Sequence, residues 1–433
     1  MVLEVIKMSL KKDNYTIRLI DDKIDERLKI FGAICIEGPK WCGKTWTCLN
    51  HANSVIYLSN KNTRELAKSS PESVLNENKP ELIDEWQLVP SLWDEVRMKC
   101  DEDKNSGKYL LTGSTTLLKE NEDEVFHSGA GRIDTFKMYP MSLYESRDST
   151  GEVSITDMFN NKSITSKLRN ITLEEIALFI VRGGWPENIK SDSKLAPIIP
   201  SSYLTSVLKK DIHERKDKRR DEEKMNMVIK SLSRNISSVV SLKTIVKDIA
   251  EFSSEEERIK NVETISDYIS VLDDLYLTSY QKAFNVNYRS SDRIGKTSKR
   301  HLVDPSLACA ALNLTPDKLL KDINTFGLVF ESLVYRDLNI YMNYLDGNVF
   351  HFRDNISGDE VDAILEFPDG EYAAVEVKLG FDRVPEAIAS LMKFYENVKV
   401  KPKFMCVITG NTKAAYIDKE TGIYVVPLTT LKP

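Results

Sequence analysis

The chain has 433 residues, a formal net charge of −6, 41% hydrophobic and 29% charged residues, which is the size and balance of two or three soluble domains. That charge excludes a uniformly basic nucleic-acid coat but leaves room for local basic faces. The six cysteines form no C-x-x-C pair and the five histidines do not cluster with them, which argues against zinc and for reduced thiols. No run approaches the ~18 apolar residues of a membrane span. Met1–Lys12 is too short and too charged for a signal peptide, so a cytoplasmic protein with no membrane partner is expected.

Residues 13–30 carry Ile and Leu at helical spacing and predict a helix packed on the region after it. Phe31–Glu37 reads as a short apolar strand, and Thr45–Asn50 can open a helix. Between them lies Gly38-Pro39-Lys40-Trp41-Cys42-Gly43-Lys44-Thr45, a match to the phosphate-binding pattern G-x-x-x-x-G-K-[ST] in its required strand–loop–helix context. The glycines let backbone N–H groups turn toward a phosphate, and the helix N-terminus adds partial positive charge. These eight residues, with Trp46 in the first helical turn, are the expected ATP contacts. Lys44 is expected at the β- and γ-phosphates and the Thr45 hydroxyl on Mg²⁺.

Further strands are predicted at 54–58, 80–84 and 108–113, a rhythm of parallel strands and crossovers. Pro80–Trp86 ends its apolar run in Asp84-Glu85, placing an acidic pair at the carboxyl edge of the sheet. Asp84 is read as a holder of the Mg²⁺ shell and Glu85 as the base that orients and deprotonates water. Thr112 or Ser114, closing the 108–113 strand, is a sensor of the γ-phosphate or a plain strand end. Arg132, flanked by glycines late in this region, is an arginine finger or a surface arginine on a strand.

Residues 146–172 are polar and aperiodic and read as a loop or insertion. A helical pattern runs through 173–181, breaks at Arg182-Gly-Gly-Trp-Pro186, and resumes from Ser201 toward Arg220 as a small helical lid. Its basic end at 209–220 is interleaved with acids, the pattern of a solvated helix face before that of a nucleic-acid contact. Residues 225–300 read as a winged helix-turn-helix. One helix spans 241–250, and a second, from Thr264, carries Ile265, Tyr268, Ile269 and Leu272 in a stripe. A strand at 275–280 and a basic loop (Arg289, Arg293, Lys296, Lys299, Arg300) come next as the wing. Asp267, Asp273 and Asp274 on the second helix repel phosphate, leaving DNA contact to the wing.

The last region, 301–433, begins with an apolar helix at 326–335 that bears the lone acid Glu331. Strands at 349–353, 361–367 and 372–378, a helix near 384–397 and a strand at 404–409 complete an α-β-β-β-α-β order. Glu376 and Lys378 share one strand face, with Asp362 across the hairpin. Two carboxylates and a lysine around Mg²⁺ are the parts that cleave a phosphodiester, so Asp362 and Glu376 are the expected metal ligands and Lys378 their catalytic neighbour. A solvated polar strand face is the competing reading.

The phosphate loop, the Ile-Asp-Glu85 segment, Gly131-Arg-Ile133, Tyr139–Glu145, Gly183-Gly-Trp-Pro-Glu187, Val303-Asp-Pro305 and Val375-Glu-Val-Lys378 occur in this order. Together they resemble the prokaryotic AAA-type ATPases of the archaeal-ATPase kind, whose C-terminal domain of unknown function is related to PD-(D/E)XK nucleases. The resemblance implies an α/β chain with a P-loop parallel sheet at 1–150, a helical lid and linker at 151–224, a winged-helix-like domain at 225–300 and a restriction-endonuclease-like domain at 301–433. Ser357–Asp362 lacks the proline that gives the nuclease family its name. Three functions compete: an ATPase coupled to DNA engagement, an ATP-dependent nuclease, and a nucleotide-binding switch that scaffolds a protein partner. A homo-oligomer is expected wherever a neighbouring copy supplies the arginine, Arg132 or Arg182.

Overall fold

The apolar runs between residues 31 and 137 form a five-stranded parallel sheet. The computed structural model describes residues 10–75, 77–117, 125–208, 222–252, 261–285, 296–354 and 358–433. The chain divides into two units, Met1–Pro140 with Asp274–Tyr276, and Met141–Asp273 with Leu277–Pro433. In the first, α1 (Leu19–Arg27) precedes β1 (Ala33–Glu37), α2 (Lys44–His51), β2 (Ser54–Tyr57) and α3 (Lys61–Ser69). Then come β3 (Glu81–Asp84), α4 (Ser91–Glu102), β4 (Tyr109–Gly113) and β5 (Ile133–Lys137). The strand order is β2-β3-β4-β1-β5.

Both faces of this sheet are covered, which is why its strands read as unbroken apolar runs rather than alternating ones. On β1, Ile34 and Ile36 pack with Ile24 of α1 and Cys48 and Leu49 of α2. Ala33 and Cys35 point the other way, to Ala67 of α3 and Leu92, Trp93 and Val96 of α4.

The second unit begins with β6 (Val153–Ser154) and α5 (Ile155–Phe159), followed by α6 (Leu173–Arg182), α7 (Ile198–Ser206), α8 (Glu222–Arg234), α9 (Leu242–Phe252) and α10 (Val262–Asp274). Next are β7 (Thr278–Ala283), β8 (Lys299–Leu302), α11 (Pro305–Ala311), α12 (Pro316–Lys321) and α13 (Ile323–Tyr344). The chain closes with β9 (Asn348–Arg353), β10 (Glu360–Glu366), β11 (Tyr372–Lys378), α14 (Val384–Asn397), β12 (Phe404–Thr409), β13 (Tyr416–Ile417), β14 (Tyr424–Pro427) and β15 (Leu431–Lys432). Eight strands form one sheet in the order β13-β14-β12-β11-β10-β9-β7-β8. The predicted α-β-β-β-α-β order is present in α13, β9 to β11, α14 and β12. One side of α14, with Val384, Ala387, Leu391 and Phe394, fills the core over β10 to β12.

The structure redraws the sequence expectation at three places. Residues 146–172 are not all loop: β6 pairs in parallel with β15, and Ser154 Oγ donates to the Pro433 carbonyl at 2.7 Å. The helices read as a lid lie in the second unit, where α6 and α7 pack on α11 and α6 also on α12 and α13, because their apolar faces are buried there. The boundary expected near residue 300 falls inside β8. That strand pairs with β7, and β7 joins β9 in parallel through Lys282 and Phe350, so hairpin and C-terminal sheet share one hydrogen-bonded ladder. Among the described residues no helix is long and apolar enough to cross a membrane.

Residues from the Tyr139–Glu145, Gly183–Glu187 and Val303–Pro305 motifs meet at one buried guanidinium. Arg336 on α13, 3% exposed, donates through Nη1 to Asp304 Oδ2 at 2.8 Å and through Nη2 to Asp337 Oδ1 at 2.7 Å. Asp304 Oδ2 also accepts from Gly184 N at 2.9 Å, and Asp337 Oδ2 from Leu143 N at 2.9 Å. Trp185 Nε1 donates to Ser306 Oγ at 2.9 Å. Gly184 is packed so tightly that a Cβ there would stand 2.1 Å from the Met141 carbonyl oxygen. Burial pushes the Asp337 carboxyl above its ordinary range, against the pull of Arg336. Arg336→Met should strand two buried carboxylates and lower the stability of the second unit by about 3–5 kcal/mol, measured as a shift of its urea unfolding midpoint.

Candidate functional site

The loop from Gly38 to Thr45 connects β1 to α2 at the carboxyl end of the sheet. A Cβ at Gly38 would lie 2.2 Å from the Met138 carbonyl oxygen, so only glycine lets the loop leave β1 there. Gly43, at φ 107°, makes the left-handed turn that starts α2. The first N–H groups of α2 lack intrahelical acceptors and, with the helix dipole, favour an anion. Lys44 is 5% exposed and folds over the loop, donating to the Gly38 and Pro39 carbonyls at 2.8 Å each. Pro39 and Cys42 are buried, Lys40 is half-buried, and Trp41 on the loop and Trp46 in the first turn of α2 are 54% and 43% exposed.

The sheet order explains the acidic pair. Because β4 runs between β1 and β3, its end stands beside both the loop and Asp84. Asp84 Oδ1 accepts from Thr45 Oγ1 at 2.7 Å and from Thr112 Oγ1 at 2.9 Å. Thr112 Oγ1 in turn accepts from Glu85 N at 3.0 Å. Burial raises the Asp84 carboxyl above its usual value, against the two hydroxyl donors that favour its charged form. The Thr45 hydroxyl and Asp84 carboxylate are hard oxygen donors in contact, and they fit Mg²⁺, which takes only one or two protein ligands and keeps its waters.

Glu85 sits at φ 61° and ψ 50°, a left-handed conformation that costs a non-glycine residue on the order of 1 kcal/mol. Its Oε2 accepts from Gln87 Nε2 at 2.5 Å and from Ser114 Oγ at 2.6 Å. Thr112 thus holds the carboxylate of Asp84 and the backbone of Glu85, and Ser114 holds the Glu85 carboxylate.

Sequence patterns did not point to two supports. Arg18, 5% exposed, donates to the Cys42 carbonyl at 2.9 Å and the Tyr139 carbonyl at 2.8 Å, tying down the loop backbone. At the end of α2, His51 bridges Asp21 at 2.7 Å and Asp25 at 2.8 Å, while Tyr15 donates to Asp21. Burial alone would depress the His51 pKa, but the two aspartates outweigh it and raise it. The only signal for Tyr15, Arg18 and the aspartates was their place in a charged segment just before the loop strand.

Arg132 does not join this site in its own chain. It precedes β5, which runs parallel to β1, so the length of the strand, about 16 Å, separates it from the loop end. It is half exposed and pairs with Asp101 at 2.5 Å. Arg182, the second arginine expected at nucleotide, is 4% exposed and held by Asp148 at 2.5 Å and the Ile189 carbonyl at 2.9 Å. Burial in an ion pair leaves it no reach to a phosphate.

The second constellation gathers in the second unit. Glu331 comes from α13, Glu360 and Asp362 from β10, Glu376 and Lys378 from β11, and Lys299 from β8. Asp362 Oδ2 accepts from Val377 N at 2.8 Å, with Lys378 Nζ 3.9 Å away. Lys378 lies 2.9 Å from Glu376 Oε2, and Ser390 Oγ donates to Glu376 Oε1 at 3.1 Å. Burial, with Asp362 near, pushes both Glu331 and Glu376 up from their ordinary values. Among the described residues no group of three or more His, Cys, Asp or Glu is arranged to hold a metal ion. Asp362, Glu376 and Lys378 come together as the sequence places them, with Lys378 within ion-pair distance of both carboxylates.

In the stretch read as a wing, three basic residues contact their own chain. Lys299 is 3% exposed, Arg300 donates to the Val240 carbonyl, and Lys296 donates to the Arg353 carbonyl at 3.0 Å. Arg289, Arg293 and the basic stretch 209–220 lie outside the described residues.

Residues 31–146 match the family model of an AAA domain, and the match coincides with the five-stranded unit, a P-loop NTPase-like parallel-sheet domain. Residues 173–318 and 326–431 match two domains of unknown function, DUF8612 and DUF4143. Among solved structures the chain is similar to a Walker-type ATPase of Pyrococcus abyssi, at 12% identity over 70% of this chain and 98% of that one, with a TM-score of 0.43. It is also similar to the Thermotoga maritima RuvB Holliday junction branch migration motor (13% identity, 68% and 94% covered, TM-score 0.27). A third is the Aeropyrum pernix ORC2 protein in its ADP form (10% identity, 75% and 98% covered, TM-score 0.29). No curated protein matches the chain.

Thr112→Val keeps the side-chain shape but deletes a donor to Asp84 and an acceptor for the Glu85 amide. The first unit should lose about 1–3 kcal/mol of stability. Arg132→Ala, at an exposed surface pair, should change it by less than about 0.5 kcal/mol. Urea unfolding of the two variants, followed by tryptophan fluorescence, compares them.

Proposed function

We propose that the chain is a Mg²⁺-dependent ATP hydrolase. The observation that carries this reading is the chain of contacts from Thr45 through Asp84 and Thr112 to Glu85, beside a loop that holds a buried lysine. The match of residues 31–146 to an AAA domain supports it.

The geometry supports a role for each of these residues. The amides at the start of α2 bind phosphate oxygens, and Lys44 exchanges the Gly38 and Pro39 carbonyls for the β- and γ-phosphates. Thr45 and Asp84 would hold Mg²⁺, which when bound neutralises phosphate charge. Glu85 orients the attacking water and takes its proton as the bond to the γ-phosphorus forms and the bond to the leaving oxygen breaks. Thr112 fixes the backbone from which Glu85 projects, and Ser114 and Gln87 fix the carboxylate. An arginine supplied by Arg132 fits only a second copy of the chain, since its own loop lies at the other end of the sheet.

Coupling of turnover to DNA belongs to the same proposal as its regulatory half. The described wing residues Lys296, Lys299 and Arg300 contact carboxylates or carbonyls of their own chain, so DNA-stimulated turnover would rest on other surfaces. The nuclease reading keeps the α-β-β-β-α-β order and the positions of Glu331, Asp362, Glu376 and Lys378.

Lys44→Ala should remove nucleotide binding, read as loss of the ATP-induced change in Trp41 and Trp46 fluorescence. Glu85→Gln should bind ATP as before and hydrolyse it about 10²–10⁴ times more slowly. Normal turnover by Glu85→Gln would overturn the assignment of the base. Rates measured with and without DNA test the coupling separately.

A further inference from the structure

We propose that Lys299 is a built-in cation of the carboxylate cluster in the second unit, occupying the position a divalent ion would otherwise take. The inference concerns a different unit from the ATP site and does not depend on it. Lys299 lies on β8, outside the α-β-β-β-α-β core that supplies the acids, and its ammonium is 2.9 Å from Glu331 Oε1, 3.5 Å from Glu360 Oε1 and 3.7 Å from Asp362 Oδ1. It is 3% exposed. One carboxylate is enough to pair a buried ammonium; here three carboxylate oxygens drawn from α13 and β10 lie within 3.7 Å of a single nitrogen, gathered around it as oxygens gather around a cation.

The other oxygen of Asp362 is used elsewhere. Oδ2 accepts from Val377 N and faces Lys378, which is itself bound to Glu376. Only Oδ1 turns toward Lys299, so the cluster has two halves, one answered by Lys378 and one by Lys299. Lys299 is also held in place by its hairpin. Gln281, its partner in register on β7, donates through Nε2 to the Phe350 and Asp362 carbonyls at 2.9 and 2.8 Å. Two residues on, His301 stacks on Tyr335 and meets Ser332 Oγ at 3.2 Å. The lysine is therefore inserted by a strand that is bonded to the same elements as the acids. With it present, a divalent ion would have to displace a positive charge that lies within ion-pair distance of every oxygen it needs.

The test uses the full chain without nucleotide, in an Asp84→Asn background that silences the P-loop metal position, and Mn²⁺ as the probe. With Lys299 intact, calorimetry and the EPR signal of free Mn²⁺ should show no uptake that depends on Asp362. Lys299→Met should bind Mn²⁺ at least about a hundredfold more tightly than its parent, and Lys299→Met with Asp362→Asn should lose that binding. Lys299→Arg, which keeps the charge, should exclude Mn²⁺ as the parent does. Lys299→Met should also melt at a lower temperature in EDTA and recover on adding Mn²⁺. If it does not fold in EDTA, refolding with Mn²⁺ should rescue it. Three results overturn the proposal: Asp362-dependent Mn²⁺ binding by the chain with Lys299 intact, folded Lys299→Met that takes up no Mn²⁺, and Lys299→Met that no concentration of Mn²⁺ rescues.

Discussion

The insertion of β4 between the strand that ends in the phosphate loop and the strand that ends in Asp84 governs the first unit. Strands in a sheet are about 4.8 Å apart, so one intervening strand leaves the space between loop and acid that a phosphate and its metal need. The end of β4 must then carry a side chain that can bridge the gap. Thr112 does so, its hydroxyl donating a hydrogen bond to Asp84 and accepting one from the Glu85 amide. A purely apolar residue there would leave a buried carboxylate and a buried N–H short of partners. The left-handed backbone of Glu85 belongs to the same arrangement: it breaks the strand immediately after Asp84 and turns the second acid toward Gln87 and Ser114.

The second unit rests on a different physical device. Arg336 is almost fully desolvated, and a lone buried guanidinium would be prohibitive, yet it joins two carboxylates that also accept backbone amides from Gly184 and Leu143. Every polar group in that set constrains a separate stretch of chain. Met141–Leu143, the Gly183–Trp185 turn and Asp304–Ser306 are brought together from distant parts of the sequence. Stretches that the sequence offered only as marks of a family resemblance are here the parts of a structural clamp. A buried network of this kind is weak evidence for stability by itself; it gains its importance from the close backbone approach of Gly184 to Met141.

The carboxylate cluster shows how similar chemistry is reached by another route. Four acids and two lysines gather where β10, β11, α13 and β8 meet. The two lysines differ in origin. Lys378 shares a strand face with Glu376, so its partner is written in the local pattern. Lys299 arrives from a hairpin that the sequence assigned to a wing, where a basic residue points outward toward phosphate.

Local chemistry was legible in the sequence by itself. The glycine and lysine spacing of the loop, the apolar runs of β1, β3 and β4, and the order from α13 to β12 come from short-range rules: backbone freedom, alternation and helical period act over two to eight residues. The acidic pair at Asp84-Glu85 was legible for the same reason, since a strand end is a local feature. What tertiary structure decided was the partner of each charge. Lys299 and Arg300 read as a wing because charge without context defaults to solvent, and Arg182 read as a finger for the same reason. Burial reversed the reading of Lys299 and Arg182, and the Val240 carbonyl that of Arg300. Arg132 needed the parallel register of β1 and β5 to show which end of the sheet it occupies. Arg18 reaches Cys42 and Tyr139 across 24 and 121 residues of sequence. The strength of an ion pair depends on how far both members are removed from water, and that is a property of the folded chain alone.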